Sequence, residues 1–215
     1  MKNQQSGFTL VEIAIVLVII GLLLGGILKG QELINSAKVK SMANDFRTVE
    51  SALYGYQDRF KALPGDHAAA DVQLTGATKA TTPSGTVGNG QINGTWDSAT
   101  GTDESCLVWQ HLRFANLLSG PTTVDCTAGS AYLQKNADGG RVGISSTTQI
   151  TGMTGSFFIC SGSILGRFAR QLDTQLDDGR PDTGSVRIAA VSAPTAALTD
   201  TTLTDNTLTI VCKAI

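Results

Sequence analysis

The sequence predicts an α+β protein in which a long N-terminal α-helix packs on a small antiparallel β-sheet head with two disulfides. Three observations support this fold class. An apolar run at residues 8–28 is followed without a break by a helical stripe that continues to Phe60. Beyond it, short strand-like segments alternate with loops rich in glycine and threonine. Four cysteines lie among these segments.

The apolar run from Phe8 to Leu28 has the length and composition of a membrane span. Its twenty-one residues contain one charged side chain, Glu12. At about 1.5 Å per residue such a helix is roughly 30 Å long, the thickness of the hydrocarbon core of a bilayer. An ionised carboxylate in this setting costs about 3 kcal/mol on insertion scales, so Glu12 is expected to have a partner or a function. A plain N-terminal anchor is the alternative.

Residues 29–62 are predicted to continue the helix as an amphipathic segment. Their apolar side chains recur at spacings of three and four, which places them on one helical face that packs on the head. This face consists of Met42, Phe46, Val49, Leu53, Tyr56 and Phe60. The sequence Leu63-Pro64-Gly65 ends the helix, because proline and glycine do not continue it. Residues 63–215 then form the head.

The head is predicted to consist of short elements separated by loops. Residues 66–102 are rich in Gly, Thr, Ala and Ser, which indicates an extended loop with at most one short strand. The expected elements after it are a helix from Asp103 to Leu117, a strand at 156–160, a helix at 164–176, and strands at 185–192 and 208–212.

The N-terminal segment Gly7-Phe8-Thr9-Leu10-Val11-Glu12, with the apolar run behind it, resembles the prepilin processing signal of type IV pilins and type II secretion pseudopilins. The resemblance implies that a membrane aspartic peptidase cuts between Gly7 and Phe8, which removes residues 1–7 as a leader. It also implies N-methylation of the new N-terminal residue, Phe8. In this family the acid at Glu12 pairs with the N-terminal ammonium of a neighbouring subunit, which gives the carboxylate its partner.

The same resemblance implies the function and location of the chain. It is expected to be a major or minor pilin, a structural subunit that polymerises through its N-terminal helix into a type IV pilus-like filament. The implied partners are identical or related pilin subunits, the prepilin peptidase and the inner-membrane assembly platform. Before assembly the helix lies in the bacterial inner membrane with a periplasmic head. Afterwards the subunit belongs to an extracellular filament or a periplasmic pseudopilus.

Two other functions stay open at this point. A pseudopilin of a type II secretion system carries the same processing signal. A membrane-anchored periplasmic binding module that does not polymerise would use the apolar run as a simple anchor, and its N-terminus would not be processed in this way. We favour the pilus, because the head of about 150 residues is larger than that of a minimal major pseudopilin.

The cysteines of the head are expected to form disulfides. Cys106, Cys126, Cys160 and Cys212 have no C-x-x-C spacing, which argues against zinc and thioredoxin-like sites. An even number in a domain outside the cytoplasm indicates two bridges, for which three pairings exist. We favour Cys106–Cys126 with Cys160–Cys212, because this pairing keeps each bridge local.

No motif predicts an enzyme. The chain lacks a G-x-S-x-G elbow, an H-E-x-x-H pair and a Walker loop, and its two histidines, His67 and His111, are not adjacent to an obvious nucleophile. The formal net charge is −2 and no basic stripe occurs, so nucleic acid is not expected as an obligatory partner.

The resemblance also allows a structural calcium ion, because some type II secretion pseudopilins bind calcium in a loop of the head. Asp177, Asp178 and Asp182 lie in one Gly- and Pro-containing turn and offer the oxygen ligands that calcium prefers. Aspartates in such turns are also common as solvated turn formers. A weaker set of oxygen ligands is Asn89, Asn93 and Asp97.

Overall fold

A computed structural model of the chain describes residues 9–215. The expected cleavage site between Gly7 and Phe8 lies outside these residues. The helices are Leu10–Phe60 (α1), Ala70–Gln73 (α2), Glu104–Phe114 (α3) and Gly166–Leu176 (α4), and the strands are Val142–Ser145 (β1), Phe158–Leu165 (β2), Val186–Ala190 (β3), Ala193–Ala197 (β4) and Leu208–Ala214 (β5). The long helix, the small antiparallel sheet and the two disulfides confirm the predicted α+β, pilin-like fold.

The chain divides into two units, one up to Lys38 and the other Val39–Ile215. The second unit therefore begins inside the segment that the sequence analysis assigned to the amphipathic part of the helix. The reason is the burial of α1 from this point on. Its buried side chains are Val39, Met42, Ala43, Phe46, Val49, Ala52, Leu53 and Tyr56. Phe60, at the end of the predicted stripe, is partly buried.

The sheet has the strand order β1-β2-β5-β3-β4, and every neighbouring pair is antiparallel. The strand that comes fifth in the chain thus lies in the middle. Strands β2 and β3 flank it, run parallel to each other and are connected through α4. The ion pair between Lys213 Nζ of β5 and Glu50 Oε2 of α1, at 2.6 Å, links the central strand to the helical part of this unit.

Successive side chains of the strands point to opposite faces of the sheet, and each face has its own apolar cluster. One cluster combines Ile159, Ile188 and Val211 of the sheet with the buried face of α1 and with residues of α3 and α4. The other cluster combines strand side chains of the opposite face with loop residues that cover them. Its main members are Trp96, Ile150, Met153, Phe158, Ala189 and Ile210.

The head differs from the sequence prediction in four main places. Strand β2 continues to Leu165, where a helix was expected from Ile164, because β2 pairs with β5 again after a register shift between Ser161 and Ile164. Strands β1 and β4 were not predicted, and neither was the short helix α2, which lies in the stretch 66–102 that was expected to hold at most one short strand. The four residues of β1 are all buried and show no alternation, and β4 is an exposed edge strand that contains Pro194.

The Gly- and Thr-rich loop at 66–102 is organised by buried acids. Asp66, 3% exposed, accepts hydrogen bonds from the backbone N–H groups of Gly88, Asn89 and Gly90. Gly88 and Gly90 have φ of +88° and +81°, a conformation that glycine adopts without strain and that lets these N–H groups converge. Glu104, fully buried at the start of α3, accepts hydrogen bonds from Thr86 and Asn93, which precede it in the same loop. A stretch without periodic apolar residues is therefore ordered by side-chain carboxylates.

Both disulfides lie in the second unit. Cys106 of α3 is bonded to Cys126, and Cys160 of β2 is bonded to Cys212 of β5. The second bridge joins residues that stand directly opposite each other in the β2–β5 ladder. This is the local pairing favoured from the sequence.

Candidate functional site

The first part of α1 is apolar on every side. Its large side chains from Leu10 to Leu28 are between 46% and 91% exposed, so the described part of the protein covers no face of this stretch. The helix meets the length and composition of a membrane span, with a mean hydropathy of 2.8 over its most apolar eighteen residues. A helix that is apolar all round requires lipid or other protein around it. This surface is the first candidate site.

Glu12 forms a capping box with Thr9 at the start of α1. Glu12 Oε2 accepts hydrogen bonds from Thr9 N and Thr9 Oγ1, both at 2.8 Å, and Thr9 Oγ1 accepts one from Glu12 N at 3.3 Å. The sequence pattern T-x-x-E, which signals this arrangement, was readable in the sequence but was not used there. The carboxylate therefore stabilises the first turn of the helix in addition to carrying a charge.

The described part of α1 offers no cation close to Glu12. The first basic residue after it in the helix is Lys29, seventeen positions farther on, and Lys29 Nζ pairs with Glu32 Oε2 at 2.7 Å. The hydrogen bonds from Thr9 both reach Oε2, so Oε1 retains its capacity to accept from a positively charged partner.

The second candidate site is an acidic cluster at the end of α4. Carboxylate oxygens of Asp173, Asp177 and Asp178 lie within 4.8 Å of one another. Asp177 and Asp178 belong to the predicted calcium set, whereas Asp182 is not part of the cluster. Asp173 was not predicted, because it is a helix residue four positions before Asp177 and joins the other two only when the turn folds against α4.

Asp173 is the unusual member of this acidic cluster. It is fully buried, and neither of its carboxylate oxygens has a hydrogen-bond partner among residues 9–215. Burial, together with the negative charges of Asp178, Asp177 and Asp200, raises the pKa of Asp173 to about 7. An unpartnered buried carboxylate beside two others is a donor set that fits a hard divalent cation such as calcium.

The other two acids of the cluster are held by the turn that follows α4. Asp177 Oδ2 accepts the backbone N–H of Val186 at 2.9 Å. Asp178 accepts the backbone N–H of Arg180 at 2.9 Å and the hydroxyl of Thr183 at 2.7 Å. These bonds lower the pKa of Asp178 and fix the positions of both carboxylates.

The weaker oxygen-rich set is used for other contacts. Asn89 Oδ1 accepts from the backbone N–H of Gln91 at 2.9 Å, and Asn93 Nδ2 donates to Glu104 Oε2 at 3.1 Å. Asp97 lines a separate cavity of about 560 Å³. The amides of this set therefore hold the loop in place.

The two histidines lie in a buried polar network. His111 Nδ1 accepts the backbone N–H of Gly65 at 2.9 Å, so the proton of the neutral ring lies on Nε2, which donates to Thr78 O at 2.8 Å. His67 Nδ1 lies 2.7 Å from the hydroxyl of Tyr56. Burial lowers the pKa of His111 to about 4. Since both nitrogens of His111 are bonded to the main chain, this ring is structural.

Taken together, the α+β head with two disulfides and the long N-terminal helix have a pilin-like fold, and the apolar first part of the helix fits a membrane anchor. Residues 2–28 match the family described as the prokaryotic N-terminal methylation motif, which is the prepilin signal of type IV pilins and pseudopilins. The chain thus carries the signal of a prepilin peptidase substrate, and the resemblance noted in the sequence is confirmed. This signal indicates a structural subunit rather than an enzyme.

The match covers the N-terminal segment only. The comparisons with curated proteins and with solved structures gave no match.

Proposed function

We propose that the chain is a major or minor pilin, a structural subunit that polymerises through α1 into a type IV pilus-like filament after cleavage between Gly7 and Phe8. One observation carries the proposal. The methylation motif at residues 2–28 contains the first part of α1, which is apolar on all sides from Leu10 to Leu28 and has Glu12 as its one charge.

The free energy of burial supports polymerisation through this helix. Each large apolar side chain gains about 1.5–3 kcal/mol when it leaves water, so exposing the stretch from Leu10 to Leu28 to water would cost tens of kcal/mol. The helix must therefore stay in lipid or move directly into an apolar protein environment. A bundle of equivalent helices from neighbouring subunits is such an environment.

Glu12 gives the bundle its polar contact. Cleavage creates a positively charged N-terminus at Phe8, and Oε1 of Glu12 retains acceptor capacity in the described structure. Pairing Glu12 with the N-terminal ammonium of a neighbouring subunit removes two isolated charges from an apolar surrounding. The pair also fixes the axial position of one helix against the next.

The proposed partners and locations follow from cleavage of the leader and polymerisation through α1. The chain is cut and methylated by the prepilin peptidase, resides in the bacterial inner membrane with a periplasmic head, and is taken up by the inner-membrane assembly platform. The loops of the head, supported by two disulfides, suit an extracellular fibre. A type II secretion pseudopilin is the alternative, in which the filament stays in the periplasm.

The first test is the mass of the N-terminal peptide of the protein recovered from membranes. We expect a chain that begins at N-methylated Phe8. A chain that retains residues 1–7 in a cell with an active prepilin peptidase would contradict the proposal, and the head would then act as a non-polymerising module on a plain anchor.

The second test separates the two filament types. Shearing of intact cells releases surface fibres, and we expect the mature chain in the sheared fraction. If the processed protein is retained in the periplasm, the pseudopilin alternative holds. Chemical cross-linking of each fraction then tests polymerisation. If the processed chain gives no ladder of cross-linked subunits in either fraction, polymerisation is excluded.

A further inference from the structure

The acidic cluster of Asp173, Asp177 and Asp178 is only partly neutralised: among the described residues the positive charge of Arg180 acts on Asp178, and no basic side chain acts on Asp173. Three carboxylates with oxygens within 4.8 Å of one another repel, and the cluster lies where α4 ends. The C-terminal end of a helix carries a partial negative charge of its own, which disfavours acids there. The nearest basic side chain in the turn, Arg180, is exposed.

Asp173 makes this arrangement costly. A buried carboxylate without hydrogen bonds loses its hydration and gains nothing from the protein in return. Asp177 and Asp178, in contrast, are fixed by bonds from Val186, Arg180 and Thr183. The turn thus holds two carboxylates against a third that lacks any partner among the described residues.

We propose that Asp173, Asp177 and Asp178 bind a divalent cation, and that this cation is calcium. Carboxylates are the ligands that hard divalent cations prefer, and oxygens bonded to a calcium ion at about 2.4 Å can lie up to about 4.8 Å apart. Each bonded oxygen of Asp177 and Asp178 has a second lone pair available. Calcium tolerates an irregular ligand set completed by water and main-chain oxygens, whereas magnesium requires nearly octahedral geometry.

The cation gives Asp173 its partner and ties α4 to the turn before β3. Val186, the first residue of β3, donates its N–H to Asp177, so a fixed Asp177 also fixes the start of the strand. The role of the ion is therefore structural. The proposal concerns the head alone and does not depend on filament assembly.

The test uses the full-length chain in detergent after treatment with EDTA. Its thermal unfolding is monitored by near-ultraviolet circular dichroism. With three carboxylates in a partly exposed turn, we expect a dissociation constant on the order of 10⁻⁴ to 10⁻³ M. Addition of 10 mM calcium should then raise the melting temperature by about 3–8 °C, and 10 mM magnesium should raise it less.

Two substitutions make the test specific. Asp173→Asn keeps the volume of the side chain but removes the buried charge, so this variant should melt above the wild type in EDTA and should not respond to calcium. Asp182→Asn is the matched control in the same turn and should keep the wild-type calcium response, because Asp182 is outside the cluster.

Two results would overturn the proposal. The first is a wild-type melting temperature that is unchanged by calcium at 10 mM. The second is an equal calcium response in wild type and Asp173→Asn, which would place any bound ion elsewhere. Isothermal titration of the EDTA-treated chain with calcium, compared with Asp173→Asn, measures binding directly and does not depend on how either chain unfolds.

Discussion

Thr9 and Glu12 cap each other at the first turn of α1: Glu12 Oε2 accepts from Thr9 N and Thr9 Oγ1, and Thr9 Oγ1 accepts from Glu12 N. The acid that the sequence marks as an unexplained charge in an apolar helix is therefore also a capping residue. Its two roles, the charge and the cap, depend on different atoms. Substitutions can consequently separate them.

Replacing Glu12 by Gln should block assembly and leave processing intact. The amide still caps the helix through its oxygen, but it cannot neutralise an ammonium group. An unpaired charge in an apolar helix bundle costs about 3 kcal/mol, so the yield of filaments should fall by more than about tenfold. The measurement is the amount of mature chain in sheared fibres relative to that in membranes.

Thr9→Ala is the control for this experiment. It removes the hydroxyl from the cap at a cost of about 1 kcal/mol in helix stability and leaves the charge of Glu12 in place. We expect filament yields within about twofold of the wild type. Normal yields from Glu12→Gln would refute the charge pair, and a loss in Thr9→Ala equal to that in Glu12→Gln would assign the defect to the cap.

Asp66→Ala should destabilise the head by about 2–4 kcal/mol. The substitution removes the buried acceptor, 3% exposed, that holds the N–H groups of Gly88, Asn89 and Gly90 in an exposed part of the loop. This corresponds to a drop of about 5–12 °C in the melting temperature of a domain of this size. Asp71→Ala, at an exposed position nearby, should change stability by less than about 0.5 kcal/mol. Equal melting temperatures for the two variants would show that the acid does not organise the loop.

His111 should make the head less stable in mild acid. Burial lowers its pKa from 6.5 to about 4, so the unfolded chain binds a proton that the folded chain does not. The free energy of unfolding therefore decreases as the pH falls from about 6.5 to about 4, by up to about 3 kcal/mol. Protonation of Nδ1 would also break its bond with the N–H of Gly65.

The pH effect is best measured as a difference between wild type and His111→Gln. Asp173 acts in the opposite sense, since its raised pKa of about 7 makes the head more stable as the pH falls through that value. Both chains share this contribution, so it cancels in the comparison. We expect a shallower loss of stability in His111→Gln between pH 6.5 and pH 4. Parallel curves for the two chains would assign the acid sensitivity to other groups.

Removal of the disulfides should destabilise the head to different extents. The bridges close sequence separations of 20 residues (Cys106–Cys126) and 52 residues (Cys160–Cys212). Loop entropy then gives losses of about 3 and about 4 kcal/mol for the respective double alanine variants. Urea unfolding of both variants, and of the wild type with and without reductant, measures which bridge contributes more to the free energy of unfolding. A smaller loss for the Cys160–Cys212 pair would show that the β2–β5 ladder already restricts the unfolded chain.

The long helix was predictable because its signals are local. An uninterrupted apolar run and a three-and-four spacing of apolar residues are readable without knowledge of tertiary contacts, and the buried face of α1 follows them. Strand β1 was missed because its strand conformation depends on pairing with β2, and β4, although it pairs with the adjacent β3, was missed because its own residues carry no strand pattern. The four residues of β1 have no alternation, and the exposed β4 contains a proline.

The residues of the candidate sites were likewise predicted where their signal is local and missed where their partners are distant in sequence. Glu12 was predicted from its isolation in an apolar run, and its cap with Thr9 was readable from four consecutive residues. Asp173 was missed because its partners lie on a turn that folds back against α4. The contact of Asp66 with Gly88, more than twenty residues farther on, likewise depends on the path of a loop that carries no periodic signal.

The central position of β5 sets the order in which the head can be completed during synthesis. Strands β2 and β3 leave the ribosome before β5 and cannot pair with each other, because β5 belongs between them. Until it arrives, each has an open edge that other strands or proteases can engage. Cys160 has to remain reduced over the same interval if it is to meet Cys212. A chain arrested before Leu208 would therefore expose two strand edges and a free thiol, which are features that quality control recognises.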